Sequence, residues 1–191
     1  IEACLVGSEM CIRDSYQYAR YLLGKQKLTE AKAQFDVLIA DPAATVYHLI
    51  GAAVLNIELS DSASALLHLD RALSLGQRVN DAQFFKALAL IQLNDVSGAL
   101  KALGAVGPST NYARALQEAA AILVSQGDIG AANAFFEKHR KVHTDGAELN
   151  FVVHAETLQT LGSIEAESVL SRGISAFPVS YTHLRAHETR F

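Results

Sequence analysis

DSASALLHLDRAL, Asp61 to Leu73, sets an alanine at 65 and a leucine at 69 behind a short polar opening. The same arrangement recurs in KLTEAKAQFDVL (Lys27 to Leu38), DVSGALKALGAV (Asp95 to Val106), GDIGAANAFFEKH (Gly127 to His139) and GSIEAESVLSRGI (Gly162 to Ile174). The alanines are Ala31, Ala65, Ala99, Ala132 and Ala166, spaced by 34, 34, 33 and 34 residues. The large residues four positions on are Phe35, Leu69, Leu103, Phe136 and Leu170. A fixed period of this length marks a repeat architecture, in which each unit buries a face that its neighbour covers. Residues four apart lie on one face of a helix. The alanine therefore lets a second helix approach closely, and the large residue fills the space beside that contact.

Between these segments lie ARYLLGK, YHLIGAAVLNIEL, AQFFKALALIQL, ARALQEAAAILVSQ and LNFVVHAETLQTL, each with apolar residues at spacings of three and four, such as Phe84, Leu88 and Ile91. These read as the first helices of five helical pairs. Asp61, Asn94 and Asp95, Gly127 and Asp128, and Gly162 and Ser163 punctuate the pairs as turn and capping residues. The predicted fold is all-α, a solenoid of about five helix-turn-helix repeats.

Composition agrees with that reading. Half of the 191 residues are apolar, prolines number three, and alanine and leucine, which lose little entropy in a helix, dominate. The net charge is −4 with no block of like charge, so the electrostatic footprint of a nucleic-acid or anionic-lipid partner is missing. No apolar run approaches the ~20 residues of a membrane-spanning helix, so membrane insertion is not expected.

The period and the placement of small and large residues from Tyr16 to Pro178 resemble the tetratricopeptide repeat (TPR) family, in which small residues occupy both helices of a 34-residue hairpin. Ala19, Ala53, Ala87 and Ala120 take the small position of the first helix, and Ala72 a second small position on the following helix. The chain departs from the family pattern in having no Trp, and in carrying Leu38 and Val106 where Ala72 stands in the second repeat. The resemblance implies a right-handed superhelix with a concave groove, lined by first helices, that holds a peptide or helix of a protein partner. Its inner-face positions fall on Tyr47, Ile50, Val54, Glu58, Phe84, Leu88, Gln92, Arg114, Gln117, Glu148 and Phe151. Members that clamp a C-terminal carboxylate use Lys and Asn there. The first repeats here offer Tyr16, Arg20, Gly51 and Val54 instead, so that clamp is not expected.

Motifs for chemistry are weak. His139 and His143, four apart in HRKVH, have the spacing of two metal ligands on one helix face, but no third ligand has matching spacing. They are better read as cations at the end of a helix, complementing its dipole. His154 sits inside an apolar helix and reads as a satisfied core or groove residue rather than a catalyst. No nucleophile elbow, phosphate-binding glycine loop or HExxH is present, and GDIGAAN follows a helix rather than a strand. No enzyme activity, cofactor or metal is expected.

The two ends raise a different matter. CLVGSEMCIRDS (Cys4 to Ser15) holds both cysteines and the lone methionine, and VSYTHLRAHET (Val179 to Thr189) carries two histidines four apart. One permitted DNA coding of the first segment, read on the opposite strand, encodes the second. The shared DNA resembles a transposase-type sequencing adapter, so 1–15 and 179–191 are expected to be adapter-derived. The repeat array is then 16–178, an internal fragment of a gene, in units 16–42, 43–76, 77–108, 109–145 and 146–178. Its expected work is that of a scaffold or adaptor for a protein or peptide partner, as in assembly of a bacterial envelope, secretion or pilus apparatus. The alternatives are a regulatory repeat region of a larger enzyme whose catalytic domain lies outside the sequence, and a module for self-association.

Overall fold

The computed structural model describes residues 9–178, with side chains from Asp14 onward. Residues 1–8 and 179–191, where most of the adapter-derived sequence is expected, lie outside the described residues. Among the described residues ten α-helices follow one another: α1 (Glu9–Gly24), α2 (Leu28–Ala40), α3 (Val46–Glu58), α4 (Ser62–Ser74), α5 (Val79–Gln92), α6 (Val96–Leu103), α7 (Tyr112–Gln126), α8 (Ile129–Val142), α9 (Ala147–Thr160) and α10 (Ala166–Ala176). A short 3-10 turn, Thr144–Gly146, precedes α9. Odd-numbered helices are the first members of the pairs and even-numbered helices the second. The chain divides after Ala99 into two compact units, 1–99 and 100–191.

The turn within each pair repeats as faithfully as the helices do. Gln26, Ser60, Asn94, Gly127 and Gly162 all have positive φ, between 57° and 72°. At four of these turns the next N–H reaches a carbonyl five residues back: Lys27 to Leu22, Asp61 to Asn56, Asp95 to Leu90 and Ser163 to Leu158. This is the left-handed C-terminal cap that satisfies carbonyls left free at a helix end. The following helix then starts on a side-chain cap. Asp61, Asp95 and Asp128 accept from the backbone N–H of Ser64, Gly98 and Ala131 at 3.2, 2.9 and 2.9 Å.

Buried positions recur with the same period. Ala31, Ala65, Ala99 and Ala132 are wholly enclosed, and Phe35, Leu69, Leu103 and Phe136 nearly so. The position seven residues beyond each alanine is buried too, and holds Leu38, Ala72, Val106, His139 and Gly173. The fifth repeat differs: Ala166 and Leu170 are only half-buried, while Val169 and Gly173 are buried. Among the described residues no helix follows α10.

In unit 1 the cores are two clusters. Ala19, Leu22, Ala31, Phe35, Leu38, Ala52 and Leu55 join α1 to α3, and Val46, Leu49, Ala53, Ala65, Leu69, Ala72, Ala82 and Ala89 join α3 to α5. Gly51 permits the first cluster, because a Cβ there would lie 2.6 Å from the Phe35 ring. Unit 2 has one cluster, in which Leu116 and Leu123 of α7, Phe136 of α8, Leu158 of α9 and Val169 of α10 pack together.

Candidate functional site

In unit 1, α1, the start of α3 and the turn before α5 bring a group of aromatic and cationic side chains together. Tyr16 of α1 packs edge-on against Phe35, with centroids 6.2 Å apart, and against the His48 ring of α3 at 5.3 Å. Its hydroxyl is pushed to higher pKa by burial, while Arg20 and Arg78 oppose that shift. Arg20 lies over the Tyr16 ring at 5.8 Å. Arg78, in the turn before α5, lies over the ring of the exposed Tyr47 at 4.7 Å and gives its Nε–H to Asp81 at 2.6 Å. Arg78 holds φ of 47°, an uncommon conformation for a side-chain-bearing residue and one that aims the guanidinium at Tyr47. Such a surface offers aromatic faces and two cations over them, a combination suited to the apolar and polar parts of a peptide at once.

The other expected groove residues of unit 1 divide. Ile50, Val54 and Leu88 are half-buried and Glu58 is exposed. Gln92 is tied into the α3–α5 packing, accepting from the Ser62 hydroxyl at 2.6 Å and donating to the Ile57 carbonyl at 3.1 Å. Phe84 has no exposed surface, so it is a core residue instead of a groove residue: its position faces the neighbouring helices.

Unit 2 is organised by a buried polar layer between α8 and α9. His139 places Nε2 3.1 Å from the Val106 carbonyl and Nδ1 3.2 Å from the Asn150 side-chain nitrogen. The carbonyl can only accept and the amide nitrogen can only donate, so His139 is a neutral ring protonated on Nε2. His154 is fixed likewise. Arg140 donates to its Nδ1 at 3.1 Å, and its Nε2 donates to the Asn133 oxygen at 2.9 Å. Arg140 also donates to Asn150 Oδ1 at 2.6 Å, and Asn133 donates to Glu165 at 2.7 Å. Burial, reinforced by neighbouring cations, pushes His139 down to about 4 and His154 down to about 3. Tyr112 donates to the Gly146 carbonyl at 2.8 Å, and burial pushes its hydroxyl up to about 12.

This arrangement corrects the expectation that His139 serves as a cation at the helix end. It is enclosed at the position seven beyond Ala132, where a charge would be uncompensated. His143 approaches the Gly104 carbonyl at 3.3 Å. Among the described residues no group of three His, Cys, Asp or Glu side chains has the geometry to hold a metal ion. Of the remaining groove candidates, Arg114 and Gln117 are exposed on α7, with Arg114 3.7 Å from Glu118. Glu148 and Phe151 are half-buried on α9.

Solved structures were similar over most of the chain. They include the MamA protein, with a TM-score of 0.58 at 18% identity, covering 90% of this chain and 94% of that one. YrrB, a TPR protein with an unusual peptide-binding site, has a TM-score of 0.53 at 20% identity, covering 93% and 91%. The fold is TPR-like. The C-terminal part of a TPR repeat-containing protein from Cytophaga hutchinsonii has a TM-score of 0.56 at 18% identity, covering 84% of this chain and 64% of that chain. At these identities the likeness is one of fold. No family profile matches the sequence, and no curated protein matches it.

Sequence reasoning missed Arg78 and, in the α8–α9 polar layer, Asn150, Arg140 and the burial of His139, though it read His154 as a satisfied core or groove residue. The available signals were a basic residue two positions after a glycine in the inter-repeat turn, and Asn150 and His154 four apart, on one helix face with the apolar residues of α9.

Proposed function

We propose that the chain is a protein-interaction scaffold without chemistry of its own, and that the first-helix face of unit 1 holds a segment of a partner protein. The observation that carries this reading is the meeting of Tyr16, Arg20, Tyr47 and Arg78, from three successive structural segments, on one surface. Half-buried Ile50 and Val54 continue that face along α3. A peptide laid across it gains aromatic and aliphatic contact from α1 and α3, and the two guanidinium groups fix its polar atoms. The buried histidines fit this reading, since every ring nitrogen described above that could serve as an acid or base is occupied by a structural hydrogen bond.

Selection from a random peptide display library on the immobilised full chain tests the proposal. The selected peptides are expected to lose about tenfold or more in affinity on Tyr47→Ala and on Arg78→Ala, as for anchors at the centre of an interface. The circular dichroism of both variants should be unchanged. Selected peptides that bind both variants as they bind the parent chain would overturn it.

A further inference from the structure

Unit 2 holds a second feature that the scaffold reading does not use. The C-terminal halves of α8 and α10 and the N-terminal half of α9 surround an open cavity of about 400 Å³. Its walls carry Arg140, Lys141 and Arg172 against a single carboxylate, Glu137, and its apolar lining includes Phe151 and Phe177. Glu137 stands 3.7 Å from Arg172, with both side chains about half exposed, a distance that leaves the pair without a close hydrogen bond.

Arg140 is the unusual member. It is half-buried, packs 4.2 Å from the Phe151 ring centroid, and makes no salt bridge among the described residues. Its described hydrogen bonds go to Asn150 and His154, which are both neutral. A guanidinium taken partly out of water with only neutral hydrogen-bond partners is incompletely compensated for its desolvation, which the nearby Glu137 carboxylate offsets only in part. Arg172 on the neighbouring helix adds repulsion. The cavity thus has positive charge in excess beside aromatic surface.

We propose that this cavity is a docking site for an acidic peptide segment, with carboxylate side chains against Arg140 and Arg172 and an adjacent apolar side chain against Phe151 and Phe177. Guanidinium groups pair with carboxylates through two parallel hydrogen bonds, and the enclosed setting strengthens that pairing. A nucleic acid fits less well, because three local cations sit on a chain of net charge −4. The site lies wholly within unit 2.

The test uses the full chain and three short peptides blocked at both ends: acetyl-Glu-Glu-Phe-amide, its Gln-Gln-Phe analogue and its Lys-Lys-Phe analogue. Binding is followed by NMR shifts of labelled protein. The acidic peptide is expected to bind, to perturb the amides around Phe151 and Phe177, and to weaken as salt rises. The other two peptides should bind at least about tenfold more weakly. Arg172→Gln, at an exposed position that leaves the buried layer intact, should cost about tenfold in affinity for the acidic peptide, while Lys101→Gln on α6 should cost nothing. Arg140→Lys keeps the charge but removes the fork, and should weaken binding with the fold retained. Equal binding of the neutral peptide, shifts mapping elsewhere, or undiminished binding by Arg172→Gln would overturn the proposal.

Discussion

At the scale of the residue, the repeat makes two opposite demands, for a small side chain on the helix and for a left-handed backbone in the turn. Ala65 meets the first. It is wholly enclosed where α4 meets α3 and α5, so Ala65→Leu forces extra carbons into a packed contact. The expected loss is about 1 to 3 kcal/mol in urea unfolding. The second demand is met well by Gly127 and Gly162 and poorly by Gln26 and Ser60, whose φ of 59° crowds Cβ. Ser60→Gly is therefore expected to stabilise unit 1 by about 1 kcal/mol, against the usual penalty for introducing glycine. A fall in the urea midpoint for Ser60→Gly would mean that its side chain contributes something the turn geometry does not explain.

At the scale of the element, α8 and α9 are joined by a buried layer of polar side chains as well as by carbon. His154 stacks on Phe136 with centroids 4.9 Å apart and satisfies Arg140 and Asn133. His154→Ala removes the ring and leaves Asn133 Oδ1 without its donor, while Arg140 keeps Asn150 and Asn133 keeps Glu165, and should destabilise unit 2 by about 3 kcal/mol. The layer also sets a pH dependence. With His139 at about 4 and His154 at about 3 when folded, both take up protons more readily when unfolded, near 6.5. Stability from them is complete above pH 6.5 and is lost as pH falls towards the folded values. Between pH 7.5 and 5 the expected loss is about 2 kcal/mol for each histidine. Arg140, Arg172 and His143 face these rings and act in the same direction. His48 and His68 of unit 1, also lowered by burial, add smaller losses of the same sign. Thermal unfolding across that range checks the slope, which His154→Gln should flatten. Sequence patterning could locate the helices here, because Ala132 and Phe136 keep the period. It could not show that His139, Asn150 and His154 fall in one layer, since their hydrogen bonds join positions 11 to 33 residues apart, on α8, α9 and the Val106 segment that follows α6.

At the scale of the whole molecule, the period was legible because each repeat solves the same packing problem with the same residues. The ligand-facing surfaces were less so. Ile50 and Phe84 stand one 34-residue period apart, yet one is half-buried and the other fully enclosed, so the period does not by itself say which inner positions reach the surface. The same reasoning bears on the ends. The side chains that anchor α1 begin at Tyr16, Ala19 and Leu22, and those that anchor α10 are Val169 and Gly173. None of the described core clusters draws on residues before 16 or after 178. A chain of residues 16–178 should therefore keep its helical circular dichroism and unfold within about 3 °C of the full chain, the shift expected from about 1 kcal/mol in a protein of this size. Part of that shift would come from losing the start of α1, Glu9 to Ser15. Loss of cooperative unfolding in the shortened chain would show that the end segments contribute to the fold, and would refute the expectation that they derive from adapter DNA.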